Sequence, residues 1–269
     1  MEFKKAGDMA IPSVGLGTWQ MKGEVCEEAV EQALEMGYRH VDTAEYYDNE
    51  ERVGNGIANA DVDREDIFLT TKVWRSHLEH DQVIQAAEDS LERLRTDYLD
   101  LLLVHWPNRE VPIRETLDAM RELKEEGKIR NFGVSNFTPE LLDEALDVTD
   151  EVVADQVEKH IYLQQDELTE YCQENDLILT AYSPLSRGRA VDNDLLKEIG
   201  EGHGKSAAQV ALRWLVQQEN VVAIPKAAPE EYQRENLDVF DFELTRHEME
   251  KISSIDRKER QVDPGFAPW

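Results

Sequence analysis

The segment Leu101-Leu102-Leu103-Val104 is the longest aliphatic run in the chain, and a polar residue, His105, follows it directly. Other apolar runs end in the same way, in a polar side chain that is costly to bury for packing alone. These residues are Asp42, Lys72, Asn136, Gln156, Tyr182 and Lys226. They recur roughly every 20 to 45 residues, with amphipathic segments between them. Such spacing is typical of a barrel of parallel strands, because the loops after those strands converge on one mouth. The pattern predicts an α/β protein with a (β/α)8 TIM barrel fold.

Short segments rich in Val, Ile and Leu are predicted as strands, and their continuous hydrophobicity is typical of strands covered on both faces. They are Val14–Leu16, Arg39–Val41, Ile67–Thr71, Leu99–Val104, Phe132–Val134, Val152–Ala154, Leu177–Ala181 and Val221–Ile224. The helices predicted between them include Glu24–Met36, Asp81–Leu94, Ile113–Glu126, Pro139–Asp147, Ala207–Gln218 and Glu230–Val239. The sequence therefore predicts a single barrel domain over residues 1–269. It would have an N-terminal hairpin at about 1–11, an extra helix at about 245–255 and an irregular tail at 256–269.

The net charge of −29 is the unusual feature of the composition, with 58 acidic and 29 basic side chains in 269 residues. Such a charge excludes non-specific attraction to nucleic acid or anionic lipid, because phosphate binding needs clustered Lys and Arg. The acidic residues are spread over the helical segments. This distribution is similar to that of proteins from salt-loving organisms, in which molar salt screens self-repulsion. We therefore expect a halophilic protein whose fold weakens in low salt.

The cysteines and the N-terminus indicate the compartment. Cys26 and Cys172 lie far apart and fit no metal-ligand or redox spacing, so we expect reduced structural thiols and no metal site. The N-terminal residues lack an apolar signal stretch, and no run is long enough to span a bilayer. These features favour a cytoplasmic protein without a membrane partner. We expect it to act as a monomer on a small molecule.

One glycine-rich stretch imitates a nucleotide motif. Residues Gly202 to Ala207 fit G-x-G-x-x-A, but they follow a charged helical segment rather than a strand. The tight strand-to-helix turn of a Rossmann fold is therefore missing. A dinucleotide would have to bind in another way.

The residues Asp42, Tyr47, Lys72 and His105 together suggest acid–base chemistry. A tyrosine is a poor acid at neutral pH unless its anion is stabilised, and a nearby ammonium held by a carboxylate would lower its pKa. Asp42, Lys72 and Tyr47 could form that relay, and the imidazole of His105 could orient a carbonyl. The residues alone leave a structural ion pair and a packed histidine open as alternatives.

Seven local strings of the sequence resemble the aldo-keto reductases. They are Gly15-Leu16-Gly17-Thr18-Trp19, Asp42-Thr43-Ala44-Glu45-Tyr46-Tyr47-Asp48-Asn49-Glu50, Thr71-Lys72-Val73-Trp74, His105-Trp106-Pro107, Gly133-Val134-Ser135-Asn136-Phe137, Tyr182-Ser183-Pro184-Leu185 and Ile224-Pro225-Lys226. Each string is weak alone, but together they occur in order along the chain. The resemblance implies NAD(P)H-dependent reduction of aldehydes or ketones on a (β/α)8 barrel. It also implies that Asp42, Tyr47, Lys72 and His105 are catalytic, with Tyr47 rather than Tyr46 as proton donor because the family places this tyrosine two residues before Asn-Glu, here Asn49-Glu50.

The same resemblance implies a set of binding residues. Ser135, Asn136 and Gln156 would bind the nicotinamide carboxamide, and Tyr182 would stack on its ring. The remaining cofactor contacts would be Ser183, Leu185, Ser186, Lys226, Arg234, Glu235 and Asn236, and the substrate wall would be Trp19, Tyr46, Trp74 and Trp106. NADPH is the expected cofactor. NADH is the alternative, because Ala227 and Tyr232 stand where the family commonly has a hydroxyl and an arginine.

Two other functions fit parts of the sequence. A nicotinamide-binding barrel could serve as a regulatory or channel-associated subunit with little turnover. A barrel aldolase could use Lys72 or Lys226 as a Schiff base, but it would leave Tyr182 and the pair Ser135-Asn136 without roles. The complete tetrad favours the reductase.

Overall fold

A computed structural model describes residues 2–255 and 257–269. Met1 and Asp256, which begin the predicted hairpin and the predicted tail, lie outside the described residues. The chain starts with an antiparallel pair of strands, β1 (Phe3–Ala6) and β2 (Met9–Pro12). Parallel strands then follow in sequence order: β3 (Leu16–Gly17), β4 (His40–Asp42), β5 (Phe68–Val73), β6 (Leu99–Val104), β7 (Ile129–Ser135), β8 (Val152–Glu158), β9 (Ile178–Tyr182) and β10 (Val221–Ala223).

The parallel strands close on themselves. Ala223 of β10 donates its N–H to the carbonyl of Ser13 and accepts from the N–H of Gly15, both at 2.9 Å. The predicted (β/α)8 barrel is therefore confirmed. The eight predicted strands overlap the observed ones but differ in their bounds, and for the first of them Val14–Leu16 was expected and Leu16–Gly17 is observed. Val14 instead forms an isolated parallel bridge to Ala223, because the start of this segment pairs with β10 and its end pairs with β4.

Helices surround the barrel. Their bounds are α1 (Gly23–Met36), α2 (Glu50–Asn59), α3 (His80–Leu94), α4 (Ile113–Glu125), α5 (Pro139–Leu146), α6 (Asp166–Glu174), α7 (Asp194–His203), α8 (Ala207–Val216), α9 (Glu230–Leu237) and α10 (Arg246–Ser253). Within residues 2–255 and 257–269, no helix is long and apolar enough to cross a bilayer.

Helix α2 contains two glycines, which disfavour a helix in a sequence-based reading. Close packing explains them. A Cβ on Gly54 would lie 2.7 Å from the backbone of Leu94, and a Cβ on Gly56 would lie 2.5 Å from the carbonyl oxygen of Glu27. The glycines therefore allow α2 to pack directly against its neighbours, α1 and α3.

The N-terminal hairpin packs against one end of the barrel. Buried side chains of β1 and β2 join a second core cluster with side chains from inside the barrel: Ala6, Met9, Ile11, Phe68, Leu101, Leu103, Ala154, Ile178 and Val222. The opposite end, where the parallel strands finish, remains as the mouth of the barrel. Residues 257–269 contain no helix or strand, and several of them lie at this mouth.

Candidate active site

Strands β4 and β5 bring a carboxylate and an ammonium together inside the mouth. The Nζ of Lys72 donates to Asp42 Oδ1 at 2.6 Å and to the carbonyl of Thr43 at 2.8 Å. The third contact of Nζ is the hydroxyl of Tyr47, at 3.4 Å. Gln156 Nε2 donates to the second oxygen of Asp42 at 2.7 Å. Both members of the ion pair are buried, and their polar atoms are satisfied.

Tyr47 and Tyr46 lie in the same short 3-10 turn, Glu45–Tyr47, and point to different surroundings. The hydroxyl of Tyr47 faces the ammonium, whereas Tyr46 is half exposed and stacks on Trp74 with a centroid distance of 3.9 Å. Of these two tyrosines, Tyr47 is therefore the one whose hydroxyl contacts the buried ammonium.

Burial shifts the pKa values of Asp42 and Lys72 in opposite directions. Desolvation raises the pKa of Asp42 and lowers the pKa of Lys72. The contact between the two groups opposes both shifts, because each stabilises the charged form of the other. Removing either partner would therefore leave the other as an unpaired charge in a buried environment, which is strongly destabilising.

The pKa of Tyr47 differs from the sequence-based expectation. We expected the lysine and aspartate to lower it, but burial, followed by the charge of Asp42, raises it well above the ordinary value of 10.0. The expected direction was therefore wrong. The physical reason is that burial removes the water that would stabilise a phenolate, and that the carboxylate which holds Lys72 also disfavours a second negative charge nearby. Tyr47 thus keeps its proton at neutral pH, as a proton donor must.

His105 follows β6 and lies beside the tetrad. Its ring is edge-on to Tyr47, with 5.6 Å between centroids, and edge-on to Trp74, at 5.2 Å. Burial, followed by the charge of Lys72, lowers the pKa of His105 well below 6.5, so the imidazole is neutral. Its Nδ1 has no hydrogen-bond partner among the described residues.

Aromatic side chains enclose the space in front of Tyr47 and His105. The ring centroids of Trp19 and Tyr47 lie 4.7 Å apart. Phe266, from the C-terminal tail, packs edge-on against Trp74 at 6.0 Å and Trp106 at 5.4 Å. The predicted substrate wall, Trp19, Tyr46, Trp74 and Trp106, therefore lines one cavity. The tail adds Phe266 to it.

The residues expected to bind a carboxamide form a hydrogen-bonded chain. Ser135 Oγ donates to the backbone carbonyl of Gln156 at 2.7 Å. Asn136 Nδ2 donates to the carbonyl of His105 at 2.9 Å, and Asn136 Oδ1 accepts from the Tyr182 hydroxyl at 2.8 Å. Asn136 adopts a left-handed backbone, with φ 63°, a conformation that asparagine tolerates better than most residues. The chain fixes Tyr182 and His105 relative to each other.

The cavity continues away from the tetrad and has a volume of about 1360 Å³. This exceeds the roughly 300–1,000 Å³ of a typical small-ligand site. Ser183, Leu185, Lys226, Glu235 and Asn236 line it, as expected from the sequence. The space is thus large enough for a dinucleotide and a substrate together.

Two expected cofactor residues are not at the cavity wall. Ser186 is fully buried, and its hydroxyl accepts a hydrogen bond from Gln261 of the tail. Arg234 points outward from α9 and pairs with Glu230 at 2.7 Å. Neither lines the cavity.

Several cavity residues were not found from the sequence. Arg187, Lys205, Ser206 and Tyr232 line the wall. Lys205 pairs with Asp238 and Asp241, whereas Arg187 and Lys226 have no ion pair within the part of the chain described. The stretch from Gly202 to Ala207 thus reaches the cavity without a Rossmann turn. It joins the end of α7 to the start of α8, which Ser206 caps, and no strand precedes it.

A metal centre is not suggested by the described residues, which contain no group of three or more His, Cys, Asp or Glu side chains able to hold an ion. Comparison with known proteins identifies the cofactor class.

The model of the Aldo/keto reductase family matches residues 13–257. The chain belongs to the aldo/keto reductase family. It is 44% identical to a glyoxal reductase of Bacillus subtilis (strain 168), over 93% of this chain and 91% of that protein. It is 37% identical to the methylglyoxal reductase DkgB of Escherichia coli O157:H7, over 97% and 99%.

Solved structures agree with the family. A crystal structure of a protein proposed to be a 2,5-diketo-D-gluconic acid reductase B superposes with a TM-score of 0.92. The sequence identity is 43%, and the alignment covers 96% of this chain and 92% of that chain. This family member is therefore an NAD(P)-dependent oxidoreductase that reduces carbonyl groups.

Proposed function

We propose that the protein reduces small aldehydes and ketones with NADPH and that Tyr47 donates the proton to the carbonyl oxygen. The observation that carries this proposal is the contact of Lys72 Nζ with Tyr47 Oη at 3.4 Å while the same Nζ holds Asp42 at 2.6 Å. A phenol beside a buried ammonium can give up its proton at the moment when negative charge appears on a carbonyl oxygen. The names of the relatives support small dicarbonyl compounds as substrates.

Each tetrad residue then has one role. Tyr47 holds the transferable proton, and Lys72 stabilises the phenolate as it forms. Asp42 keeps the lysine charged and oriented, while Gln156 fixes the second oxygen of Asp42. His105, neutral and close to Tyr47, donates a hydrogen bond that orients the carbonyl. Solvent is restricted by the aromatic wall, which strengthens these electrostatic interactions.

The cavity fits a nicotinamide dinucleotide, which supplies the hydride when bound. Tyr182 presents its ring for stacking, and the amides of Asn136 and Gln156 with the hydroxyl of Ser135 offer hydrogen bonds to a carboxamide. The pyrophosphate would meet Ser183, Leu185 and Arg187, which has no ion pair among the described residues. Lys226, Glu235 and Asn236 would hold the adenosine. Ser186 and Arg234 would not contact the cofactor, because neither lines the cavity.

Replacing Lys226 with alanine tests the preference for NADPH. Lys226 is exposed in the cavity wall without an ion pair among the described residues, whereas its neighbour Ala227 offers no hydroxyl. Loss of a charge-assisted hydrogen bond to a 2′-phosphate should raise the Kd for NADPH by about tenfold or more. The Kd for NADH should change by less than about twofold. Fluorescence quenching titrations measure both values, and an equal loss for the two cofactors would contradict this role of Lys226.

The pH dependence of reduction follows from the two shifted groups. The pKa of His105 is lowered below 6.5, so the imidazole is neutral at and above that pH, and the raised pKa of Tyr47 keeps the phenol protonated beyond 10.0. We therefore expect kcat for reduction to be flat between about pH 6.5 and 9. Initial rates at saturating aldehyde and NADPH provide the profile. A step near pH 7 that disappears in His105→Gln would show that the histidine titrates in the working range.

We also propose that the protein is a one-domain monomer in the cytoplasm of a salt-rich cell. One chain supplies the whole tetrad and cavity, and both cysteines are buried and free. The charge of −29 should destabilise the fold by self-repulsion at low ionic strength. Raising KCl from 0.05 to 2 M should increase Tm by about 5 °C or more, which a thermal unfolding series measures. A Tm independent of salt would contradict the halophilic origin.

A further inference from the structure

One buried carboxylate holds the irregular tail at the mouth of the barrel. Glu158, the last residue of β8, is fully buried. Its Oε1 accepts a hydrogen bond from the backbone N–H of Gln261, and its Oε2 accepts one from the backbone N–H of Val262, both at 2.9 Å. The charge of Glu158 also attracts the guanidinium of Arg260. Three consecutive tail residues therefore interact with a side chain that precedes Gln261 by 103 positions.

A further donor to Glu158 comes from the barrel itself. His160 Nε2 lies 3.0 Å from Glu158 Oε1, and both side chains are fully buried. The backbone N–H of Tyr162 donates to Nδ1 of the same ring at 3.2 Å, so the ring proton is on Nε2. Burial alone would raise the pKa of Glu158, but the hydrogen bonds from His160, Val262 and Gln261 lower it. Glu158 is therefore a carboxylate, and both of its oxygens face N–H donors.

The tethered segment leads into the substrate end of the cavity. Phe266 lines the cavity and packs edge-on against Trp74 and Trp106. Trp74 in turn contacts His105, with 5.2 Å between ring centroids. The ring of Phe266 is thus joined to His105 through one other ring. A small carbonyl compound bound at His105 need not reach Phe266, whereas a longer aromatic compound would extend along the wall towards it.

We infer that Glu158 is a positioning residue for large aromatic carbonyl substrates, because it fixes the tail backbone from which Phe266 completes the wall. The inference rests on the proposed function and names a specificity determinant within it. Residues 257–269 contain no helix or strand, so no ladder of backbone hydrogen bonds holds them in place. Without the tether, substrate binding would have to order the tail, and this ordering would reduce affinity.

Replacing Glu158 with glutamine breaks the tether with little change in shape. The new amide has only one oxygen, so its NH2 group must face either the N–H of Val262 or the N–H groups of His160 and Gln261. We expect KM for 4-phenylbenzaldehyde to rise by about fivefold or more while kcat changes by less than about twofold. For methylglyoxal, a small substrate, both constants should stay within about twofold of the wild type. Initial rates of the full-length enzyme at saturating NADPH provide these values.

A double-variant cycle separates positioning from general damage. Phe266→Ala should raise KM for 4-phenylbenzaldehyde by a similar factor. Adding Glu158→Gln to it should raise KM by less than about twofold further, since the ring to be positioned is gone. Glu248→Gln is the matched control. Glu248 also accepts from a histidine, His203 Nε2 at 2.9 Å, and from the backbone N–H of Thr245 at 2.7 Å, but it lies in α10 outside the cavity. It should leave both KM values unaltered.

A second variant serves if Glu158→Gln does not fold. Val262→Pro removes one N–H donor of the tail and leaves Glu158 paired with His160. It should produce the same selective rise in KM for 4-phenylbenzaldehyde.

The outcomes separate the inference from the proposed function. An unchanged KM for 4-phenylbenzaldehyde in these tether variants, or an equal rise for both substrates, would overturn the inference and leave carbonyl reduction intact. Additive effects of Glu158→Gln and Phe266→Ala would also overturn it, because additivity indicates independent sites. A wild-type protein that reduced neither compound would contradict the proposed function and the inference together.

Discussion

Replacing Tyr47 with phenylalanine should lower kcat for aldehyde reduction by about 10²–10⁴-fold, the usual contribution of a positioned acid. The substitution removes one oxygen and keeps the ring. Contacts of that ring with Trp19 at 4.7 Å and with His105 at 5.6 Å should persist. The shape of the substrate wall is thereby maintained. The loss should therefore fall on kcat, because the interaction is made with the reacting oxygen.

Two measurements separate a lost acid from a damaged site. The Kd for NADPH, from fluorescence quenching, should stay within about twofold of the wild type, since Tyr47 is not among the proposed cofactor contacts. The neighbouring variant Tyr46→Phe removes a hydroxyl from the same turn and should reduce kcat by less than about threefold. Comparable rates in Tyr47→Phe and Tyr46→Phe would refute the assignment of Tyr47.

Replacing Lys72 with methionine should have the second largest effect and should act on stability as well as rate. Asp42 would keep its contact with Gln156 but lose the ammonium at 2.6 Å, inside a buried environment. Removing one partner of a buried ion pair costs about 3–5 kcal/mol of the free energy of unfolding. The rate should fall by about 10²-fold or more, because nothing would then stabilise the phenolate of Tyr47.

The double variant Asp42→Asn with Lys72→Met separates the two effects. It removes both charges, so no unpaired carboxylate is left and much of the lost stability should return. Activity should not return, because the ammonium beside Tyr47 is still missing. Denaturant unfolding and initial rates on the same samples provide the comparison. Recovery of activity together with stability would mean that the lysine acts only as a structural partner.

The strand ends were the part of the site that could be predicted. Parallel strands finish at the same end of a barrel, so polar residues after β4, β5 and β6 had to meet there. The sequence alone therefore predicted that Asp42, Lys72 and His105 lie together. Tyr47 lies in a loop, and its selection over Tyr46 depended on a resemblance to known strings rather than on periodicity.

The tail accounts for much of what could not be predicted. Gln261 covers Ser186, a contact between residues 75 positions apart in the sequence. Phe266 enters the aromatic wall from a segment without regular structure. Irregular segments have no hydrophobic period that reveals which face is buried. Their contribution to the site therefore becomes visible only in three dimensions.

The sequence also could not predict how charges and burial combine in the site. The sequence contains the groups that shift the pKa of Tyr47, but the direction depends on burial and on distances that only the fold sets. Desolvation, followed by the charge of Asp42, raises the pKa of Tyr47. Likewise, Arg234 was expected in the cofactor site because of its position in the sequence. Its pairing with Glu230 within α9 turns it away.

A crystal structure of the enzyme with NADP⁺ and a carbonyl-containing inhibitor tests the proposed mechanism most directly. We predict that the carbonyl oxygen lies within about 2.6–3.2 Å of both the Tyr47 hydroxyl and a ring nitrogen of His105. The ammonium of Lys72 should still contact Asp42 and the Tyr47 hydroxyl. A carbonyl oxygen held by other donors, with Tyr47 turned away from Lys72, would contradict the proposed mechanism.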